Sequence, residues 1–353
     1  MGLWRLILAW LVIAVHTQGY EKLFVVEIGT IAVATFFFIS GFLMPLAYTE
    51  HYESYGFING IRRFYINRFL RIFPLYWVSC LLMTPTFFIG ENSVFSGHPL
   101  TVELLNPVIW LQNIILLGLN QSQMWGAYYR INNPAWTLDV ELQYYLLVPV
   151  IILLSARFRV VVSTFLIVAL FVSIYLFFFP AGLVDIDRSF LSWSFCFILG
   201  YAFHRLEKMQ LLFKTKRVSV TVSAIILLAA FVLDNEKIVS FLFILSFISF
   251  SAYLLVKQKE YKFSGYDKFI GDLSYPTYIL HSFALGKINS TLFNTGISDY
   301  ISRKSPIAAY GITLFLNIGL STFLAYFCLM SLIKPIERFR ASFKATVPII
   351  QGV

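Results

Sequence analysis

Residues Glu27–Tyr48 read EIGTIAVATFFFISGFLMPLAY, an apolar run whose one charged residue is the glutamate at its start. As an α-helix, a run of about twenty residues crosses the hydrocarbon core of a bilayer. Similar runs recur along all 353 residues, of which 59% are hydrophobic and 13% are charged, and the mean hydropathy is +0.76. An ordinary soluble domain has roughly 25% charged residues. The sequence therefore predicts a polytopic membrane protein and excludes a free cytosolic globule.

The apolar runs predict an all-α transmembrane bundle of about ten spans, arranged as a single integral-membrane domain over residues 1–353. The apolar N-terminus is interpreted as a retained first span. The predicted spans are Leu3–Gly19, Glu27–Tyr48, Arg71–Ile89, Val140–Leu154, Val160–Phe179, Phe190–His204, Val218–Leu233, Ile238–Leu255, Leu273–Ile288 and Ile307–Leu332. An even number of spans puts both termini on the same side. The shorter stretch Leu104–Leu119, which Pro107 interrupts, is predicted to be a half-buried interfacial segment.

The positions of the basic residues predict which side holds the termini. With the N-terminus inside, most of the 27 lysines and arginines fall in cytoplasmic segments, as the positive-inside rule requires. Both termini are expected in the cytoplasm, and the protein in the inner (cytoplasmic) cell membrane. The net charge of +9 thus reflects topology, and no nucleic-acid partner is expected. The longest outer segment, Gly90–Asp139, is either a mouth for a neutral, sugar-like ligand or an ordinary connecting loop.

Ionisable residues inside spans are candidates for function, because a charge within a bilayer is costly. Arg5 and His16 are eleven positions apart, so a helix puts them about 16 Å apart on nearly the same face. Glu141 enters the bilayer at the depth of His16. A carboxylate bonded to one imidazole nitrogen raises the basicity of the other, so this pair is predicted to deprotonate an alcohol. The alternatives are a structural hydrogen bond for His16 and a loop contact with Trp136 for Glu141, while Asp139 is expected to face water.

Arg68 and Arg71 lie three positions apart on one face of the third predicted span. Two guanidinium groups at that spacing suit a phosphate or pyrophosphate, since each donates two parallel hydrogen bonds. Anchoring to acidic lipids is the alternative for this pair. It is the preferred interpretation for Arg62 and Arg63.

His281 lies about halfway through the ninth predicted span, where Pro276 is expected to loosen the helix and free backbone carbonyls toward a cavity. The histidine is expected either to contact a substrate or cofactor or to be packed and hydrogen-bonded. Ser40 lies among large aromatic residues in the second span. Close helix packing or room for a thin ligand chain is expected there. A nucleophilic role for Ser40 is disfavoured because no base lies nearby in the chain.

Cysteine and histidine positions argue against a metal centre and a structural disulfide. No pair of histidines has the spacing of metal ligands. The cysteines lie inside apolar runs and are expected to be buried small side chains; they are Cys80, Cys196 and Cys328.

Five motifs occur in order along nearly the whole chain. They are Arg5 with His16, then Phe36–Leu43, Asn67–Trp77, Trp136–Glu141 and Leu273–His281. With these five motifs the chain resembles the integral-membrane acyltransferase family 3, which includes bacterial O-acetyltransferases of surface polysaccharides. The closing Ile333-Lys-Pro335 is also similar to the family's ending, without its usual preceding glutamate. The family's Arg-x-x-x-Arg pattern has Asn67 at its first position here, so Arg71 matches and Arg68 is a neighbouring arginine.

The resemblance implies about ten spans and transfer of an acyl group from cytosolic acyl-CoA to a hydroxyl group, often on a lipid-linked or growing saccharide. It implies donor binding by Arg5, Arg68 and Arg71, where the phosphates of CoA arrive from the cytoplasm. It implies that His16 and Glu141 act where an outer saccharide meets the acyl group. The residues expected to line the substrate path are His281, Trp136, Ser40 and Tyr278.

The leading hypothesis is an O-acyltransferase, with acetyl as the preferred acyl group, His16 as general base and Glu141 as its support. Acetyl-CoA or another acyl-CoA is the expected donor substrate, with no bound cofactor. A homo-oligomer remains open, as does an extracytoplasmic partner, because many family members carry an appended hydrolase-like domain. The alternatives are a secondary transporter or flippase for a saccharide or anion, an O-succinyl or longer-acyl transferase, and a small secreted glycoside or antibiotic as acceptor.

Overall fold

The computed structural model describes residues 1–17, 28–88, 106–121, 130–179, 188–208, 235–260 and 265–343. Within these ranges the chain is helical apart from short turns, and it contains no strand there. The all-α class predicted from the sequence is therefore confirmed for this part of the chain. The predicted span Val218–Leu233 and residues 90–105 of the outer segment lie outside the described residues.

The helices are numbered in chain order. They are α1 (Gly2–His16), α2 (Ile28–His51), α3 (Phe57–Phe88), α4 (Pro107–Ile115), α5 (Ala135–Arg157), α6 (Arg159–Phe178), α7 (Phe190–Lys208), α8 (Glu236–Glu260), α9 (Gly265–Asn294), α10 (Ile297–Lys304), α11 (Pro306–Cys328) and α12 (Lys334–Ala341). A π-helical turn, Leu329–Ile333, joins α11 to α12.

Nine of the predicted spans coincide with helices in the described ranges. In the described part of the chain, five helical segments are long and apolar enough to cross a membrane: α2, α5, α6, Glu236–Gln258 of α8, and the continuous run Pro306–Ala341. Helix α1 is apolar but shorter, with 15 residues. Helix α3 begins well before the predicted Arg71, because the basic approach to that span is helical too. The total of ten spans and the side of the termini stay predictions.

Helices α1, α2 and α9 form the centre of the bundle, where α1 packs against both α2 and α9, and α2 packs against α7. Glycines set how closely these helices approach. A Cβ atom added at Gly41 would lie within 3.0 Å of the Phe197 carbonyl oxygen, and one added at Gly200 would meet that of Phe38. Small residues allow such close contact between membrane helices. The backbone of α2 is therefore fixed against α7 beside Ser40.

Helix α6 lies at the periphery of the described bundle. Its only buried side chain is Ser173, whereas apolar residues such as Val160 and Phe171 are exposed. An exposed apolar face of this extent marks a surface that contacts lipid or another apolar partner. Its hydropathy of 2.7 is the highest among the candidate spans, so α6 has the character of a lipid-facing helix.

The first turn of α1 is held by Asp267 at the start of α9. The carboxylate accepts hydrogen bonds from Gly2 N at 2.9 Å and Leu3 N at 3.2 Å, and the ammonium group of Met1 lies 3.1 Å away. A carboxylate at the start of a helix satisfies free backbone N–H groups and interacts favourably with the helix dipole. Arg5 follows one turn later, so this contact positions it.

Candidate active site

Three cavities follow one another through the bundle. The inner cavity, about 40 Å³, and the central cavity, about 90 Å³, are both lined by Arg5, Arg71 and Tyr275. The central cavity and the outer cavity, about 680 Å³, share Val33 and Tyr278. Because neighbouring cavities share lining residues, they form one row that begins at the arginines and ends in the outer cavity.

Arg5 and Arg71 lie at the junction of the inner and central cavities. Each side chain is half-buried, and the structure records no ion pair for either among the described residues. The charges of Glu141 and Asp272 attract both guanidinium groups from across the cavities, while the two arginines repel each other. Guanidinium groups that lack a direct carboxylate partner are suited to bind an anionic ligand.

Glu141 lies in the central cavity and is held by two hydroxyl groups. The Ser40 hydroxyl donates to its Oε1 at 2.8 Å, and the Tyr145 hydroxyl donates to the same oxygen. Tyr145 is one helical turn after Glu141, whereas Ser40 comes from α2. No base lies near Ser40 in the chain, but the fold brings Glu141 to it. Distance along the chain therefore does not decide whether a base lies beside Ser40, and the disfavoured nucleophilic role stays a prediction.

His16 lies in the outer cavity, where its side chain is exposed. Its Nδ1 atom is 2.8 Å from the carbonyl oxygen of Val12, one turn earlier in α1. Because a carbonyl oxygen only accepts, the neutral imidazole carries its hydrogen on Nδ1 and its lone pair on Nε2. The carbonyl thus fixes the tautomer that a general base needs.

The predicted hydrogen bond between His16 and Glu141 is not formed. Glu141 is bonded to Ser40 and Tyr145 in the central cavity, and His16 is bonded to Val12 in the outer one. The prediction was wrong because equal depth in two helices does not fix how each helix is rotated. The group that orients the His16 ring is the backbone carbonyl of Val12, and the pattern of charged side chains does not reveal such a partner.

His281 lies behind His16 and is fully buried, with ring centroids 5.1 Å apart. Its Nδ1 atom contacts the Tyr278 carbonyl oxygen, and its Nε2 atom has no hydrogen-bond partner among the described residues. Of the residues predicted to line the substrate path, His281 is the one that lines none of the three cavities. It packs against the candidate base.

Aromatic and hydroxyl side chains line the passage between the central and outer cavities. Trp136 lies in the wall of the outer cavity, with its ring 6.1 Å from that of Trp193. The Tyr278 hydroxyl is 2.8 Å from Thr137 Oγ1 and borders both cavities. Trp136, Tyr278 and Ser40 therefore line cavities, and their contact with a substrate stays a prediction.

Arg68 is not part of the cavity row. Its side chain is buried, Nη1 lies 3.2 Å from Met44 Sδ, and the guanidinium group faces the rings of Phe64 and Tyr145. The prediction that Arg68 and Arg71 line one site together was wrong in this respect. One turn of α3 separates them, and Arg68 packs towards α2 while Arg71 reaches the cavity.

Asp139 does not face water as predicted but is fully buried. Its carboxylate accepts hydrogen bonds from Gly118 N at 2.8 Å, Asn120 N at 2.7 Å and Gln143 Nε2 at 3.0 Å. The turn around Gly118, which has a positive φ of 80°, folds back over the start of α5 and covers the carboxylate. Asp139 therefore anchors the outer segment to the bundle.

The sequence reasoning missed several polar side chains of the inner and central cavities, among them Tyr145, Asp272 and Arg340. Tyr145 follows Glu141 by four positions, a spacing that does signal a contact on a helix. Asp272 lies one residue before the predicted ninth span and lines the inner cavity. Arg340 reaches the inner cavity from α12, and no sequence pattern around it predicts that position. No group of three or more metal-binding side chains occurs among the described residues.

Residues 1–326 match the sequence model of a family described as an acyltransferase domain. The chain is 28% identical to Acyltransferase MdmB of Streptomyces mycarofaciens over 138 residues, which cover 37% of the chain and 30% of that relative. It is 29% identical to Nodulation protein 10 of Rhizobium leguminosarum bv. viciae over 136 residues, which cover 36% of the chain and 34% of that relative. The matches span about a third of these curated relatives. No solved structure matches the chain.

Proposed function

The chain belongs to the acyltransferase family that its residues 1–326 match, and from this premise we propose that it is a membrane O-acyltransferase. It moves an acyl group, acetyl in the first instance, from cytosolic acyl-CoA to a hydroxyl group of a surface or lipid-linked saccharide. The observation that carries the proposal is the row of three cavities, which leads from two guanidinium groups to the imidazole of His16, whose Nδ1 is held by the Val12 carbonyl.

The proposed orientation in the inner cell membrane places both termini and the inner cavity in the cytoplasm. Five helical segments of membrane-spanning length and the exposed apolar face of α6 support a multi-pass protein. The positive-inside rule supports the direction. In this orientation the arginines face the compartment that contains acyl-CoA, and His16 faces the opposite side.

The donor end of the site is Arg5 and Arg71. Their guanidinium groups bind phosphate groups of the donor, and the acyl-bearing arm extends into the central cavity towards Ser40 and Tyr278. The arm is thin and carries amide groups between short apolar stretches, and the wall combines apolar side chains such as Val33 and Phe36 with hydroxyl groups such as that of Thr137. Acyl-CoA is a substrate in this scheme, and no resident cofactor is needed.

The reaction takes place where the central and outer cavities meet. His16 Nε2 accepts the proton of the acceptor hydroxyl as its oxygen attacks the thioester carbonyl carbon. The carbon–sulfur bond breaks, and the leaving thiolate receives the proton, so that free CoA and an ester are formed. The Val12 carbonyl accepts from Nδ1 and stabilises the transient imidazolium, the part that the sequence assigned to a carboxylate.

Glu141 supports this chemistry from the central cavity rather than through a bond to His16. Its charge faces both arginines, and the hydroxyl groups of Ser40 and Tyr145 fix the carboxylate. The carboxylate offsets part of the positive charge where the acyl-bearing arm passes. It therefore keeps the guanidinium groups positioned for the donor without neutralising them by direct contact.

The outer cavity supports a saccharide acceptor. Its wall combines the rings of Trp136 and Trp193 with polar groups such as those of Asn133, Ser192 and Ser240. Aromatic faces and a few placed polar groups are the usual composition of a small-molecule site, and they suit the apolar faces and hydroxyl groups of a sugar. A lipid-linked saccharide reaches this end from the membrane, and an extracytoplasmic protein partner or a second copy of the chain is compatible with it.

The test is release of free CoA thiol from acetyl-CoA by purified, reconstituted protein, with and without cell-envelope saccharide. Wild type, His16→Ala and Glu141→Gln are compared with His51→Ala, a histidine that lines none of the three cavities. Acceptor-dependent release that His16→Ala loses and His51→Ala keeps supports the proposal. No release by folded wild type with any acyl-CoA and any envelope fraction would overturn it.

A further inference from the structure

We propose that Arg340, in the last turn of α12, is a phosphate-binding residue that completes the inner cavity with Arg5 and Arg71. The identity of its ligand as the acyl donor rests on the proposed function. Arg340 lies beyond residues 1–326, which match the family model, so this residue belongs to a part of the chain that the match does not cover.

Arg340 is held in place by a reciprocal pair of hydrogen bonds with Asn67 of α3. Arg340 Nη2 donates to Asn67 Oδ1 at 2.9 Å, and Asn67 Nδ2 donates to the backbone oxygen of Arg340 at 3.2 Å. Asn67 is fully buried, and Arg340 is only 7% exposed. Both ends of one amide thus fix the backbone and the guanidinium group, which ties α12 to α3.

The position of Arg340 is unusual for a residue that only stabilises the fold. Arg71 and Arg68 repel its charge, and the structure records no ion pair for it among the described residues. Its Nε atom is buried without a hydrogen-bond partner in that part of the chain. A buried cationic group with an unsatisfied donor calls for an explanation, since such groups are normally paired.

A phosphate group accounts for these features. The wall of the inner cavity contains three guanidinium groups, from Arg5, Arg71 and Arg340, and two carboxylates, from Asp272 and Glu337. A phosphate oxygen accepts hydrogen bonds from several guanidinium groups at once and removes their mutual repulsion. Coenzyme A carries a diphosphate and a separate ribose phosphate, and an anionic lipid headgroup carries the same chemistry.

The contact with Asn67 provides a matched design. Because the two side chains touch, an arginine at position 67 places a guanidinium group in the region that Arg340 occupies. The double variant Asn67→Arg/Arg340→Asn exchanges the two residue types and keeps the local composition. Arg338→Gln removes an exposed arginine from the same helix and serves as the control.

The experiment measures equilibrium binding of CoA to purified full-length protein in phosphatidylcholine nanodiscs, together with the KM for acetyl-CoA. Arg340→Gln should weaken CoA binding tenfold or more, since a charge-assisted hydrogen bond is lost, and should raise KM more than it lowers kcat. Arg338→Gln should stay within twofold of wild type. The double exchange should recover most of the lost CoA affinity. Arg340→Lys keeps the positive charge but not the two parallel donors of a guanidinium group, so its affinity should lie between those of wild type and Arg340→Gln.

Three further arms identify the phosphate. If the ribose phosphate is the ligand group, Arg340→Gln should not change the affinity for 3′-dephospho-CoA. If the diphosphate is the ligand group, Arg340→Gln should weaken the binding of CoA and of 3′-dephospho-CoA equally. The binding of acetyl-pantetheine, which has no diphosphate, should not change. If the phosphate belongs to lipid, phosphatidylglycerol should raise the melting temperature of wild type but not of Arg340→Gln, with unchanged CoA affinity.

The proposal and the proposed function fail separately. If folded Arg340→Gln matches Arg338→Gln in CoA affinity and in the phosphatidylglycerol effect, the assignment of Arg340 is overturned, while any transfer activity still stands. If CoA binding depends on Arg340 but wild type transfers no acyl group, the site is supported and the proposed function is not. Should Arg340→Gln not fold, the double exchange and Arg340→Lys give the same comparison.

Discussion

The inner and outer ends of the cavity row hold their polar side chains in different ways. At the inner end, arginines from α1, α3 and α12 line a cavity of about 40 Å³. The arginine of α12 is hydrogen-bonded to Asn67. At the outer end, His16 is exposed in a cavity of about 680 Å³, whose wall also contains Trp136 and Trp193. The difference indicates that the inner end suits one small charged group, whereas the outer end admits a bulky acceptor of variable shape.

The comparison predicts the largest effect at the outer end, where the proposed mechanism transfers the proton. His16→Gln removes the base and should lower kcat for acyl transfer by about 10²- to 10⁴-fold, the usual range for a general base. The affinity for CoA should stay within about threefold, because His16 lies outside the inner cavity. Single-turnover kinetics and CoA binding measure the two effects. An equal loss in both would show that the ends do not act separately.

The inner end predicts a binding effect and distinguishes two neighbouring arginines. Arg71→Gln should raise the KM for acetyl-CoA by about 10- to 100-fold, since a guanidinium group facing the cavity is lost. Arg68→Gln should change KM by less than about threefold and lower the melting temperature instead, because this side chain packs against Met44 and Phe64. Steady-state kinetics and thermal unfolding of both variants check this. A larger KM effect for Arg68→Gln would reinstate the sequence prediction.

The sequence was sufficient to predict the helical class and the approximate position of most helices, because long apolar runs in a membrane protein dictate both. It also singled out Arg5, Arg71, His16 and Glu141 as candidates for function, and all four line cavities. The reason is energetic: a charge within a span is rare unless a polar cavity compensates it. Charge within a span therefore points to candidates for the site, although Arg68 and His281 line none of the three cavities.

The contacts of each functional side chain were harder to predict than its position along the chain. The depth of Glu141 in its span was informative, but its partner depends on the rotation of α2 and α5, which places Ser40 beside it. Arg68 shows the same limit, since one helical turn separates a cavity residue from a packed one. Arg340 could not be found locally, because its contact with Asn67 spans 273 positions in the chain.

A smaller effect is expected from the anchor of the outer segment. Asp139→Asn replaces a carboxylate that accepts two short backbone hydrogen bonds, from Gly118 and Asn120. The variant should lose about 1 to 3 kcal/mol of stability, the cost of weakening buried hydrogen bonds to a charged group. Chemical denaturation measures this loss. Transfer assays should show a raised KM for the saccharide and an unchanged KM for acetyl-CoA, and the reverse pattern would contradict the assignment of the two ends.

The smallest effect is expected at Asp267, which holds the helix that connects the two ends. Partial burial opposes ionisation of its carboxyl group, but hydrogen bonds from Gly2 and Leu3 and the ammonium group of Met1 prevail and lower its pKa. A lowered pKa in the folded state means that the ionised carboxylate contributes stability above its ordinary pKa, and that this contribution is lost as the pH falls through the lowered value.

Because the carboxylate is partly exposed and solvent screens it, Asp267→Asn should cost only about 0.5 kcal/mol at neutral pH. The difference from wild type should shrink as the pH is lowered through the acidic range, which melting temperatures measured across that range will show. Arg5 is one turn from this anchor and His16 is at the far end of α1, so the variant should raise the KM for acetyl-CoA slightly and leave single-turnover transfer unchanged. A difference in stability that does not depend on pH would mean that Asp267 stabilises α1 by packing rather than by charge.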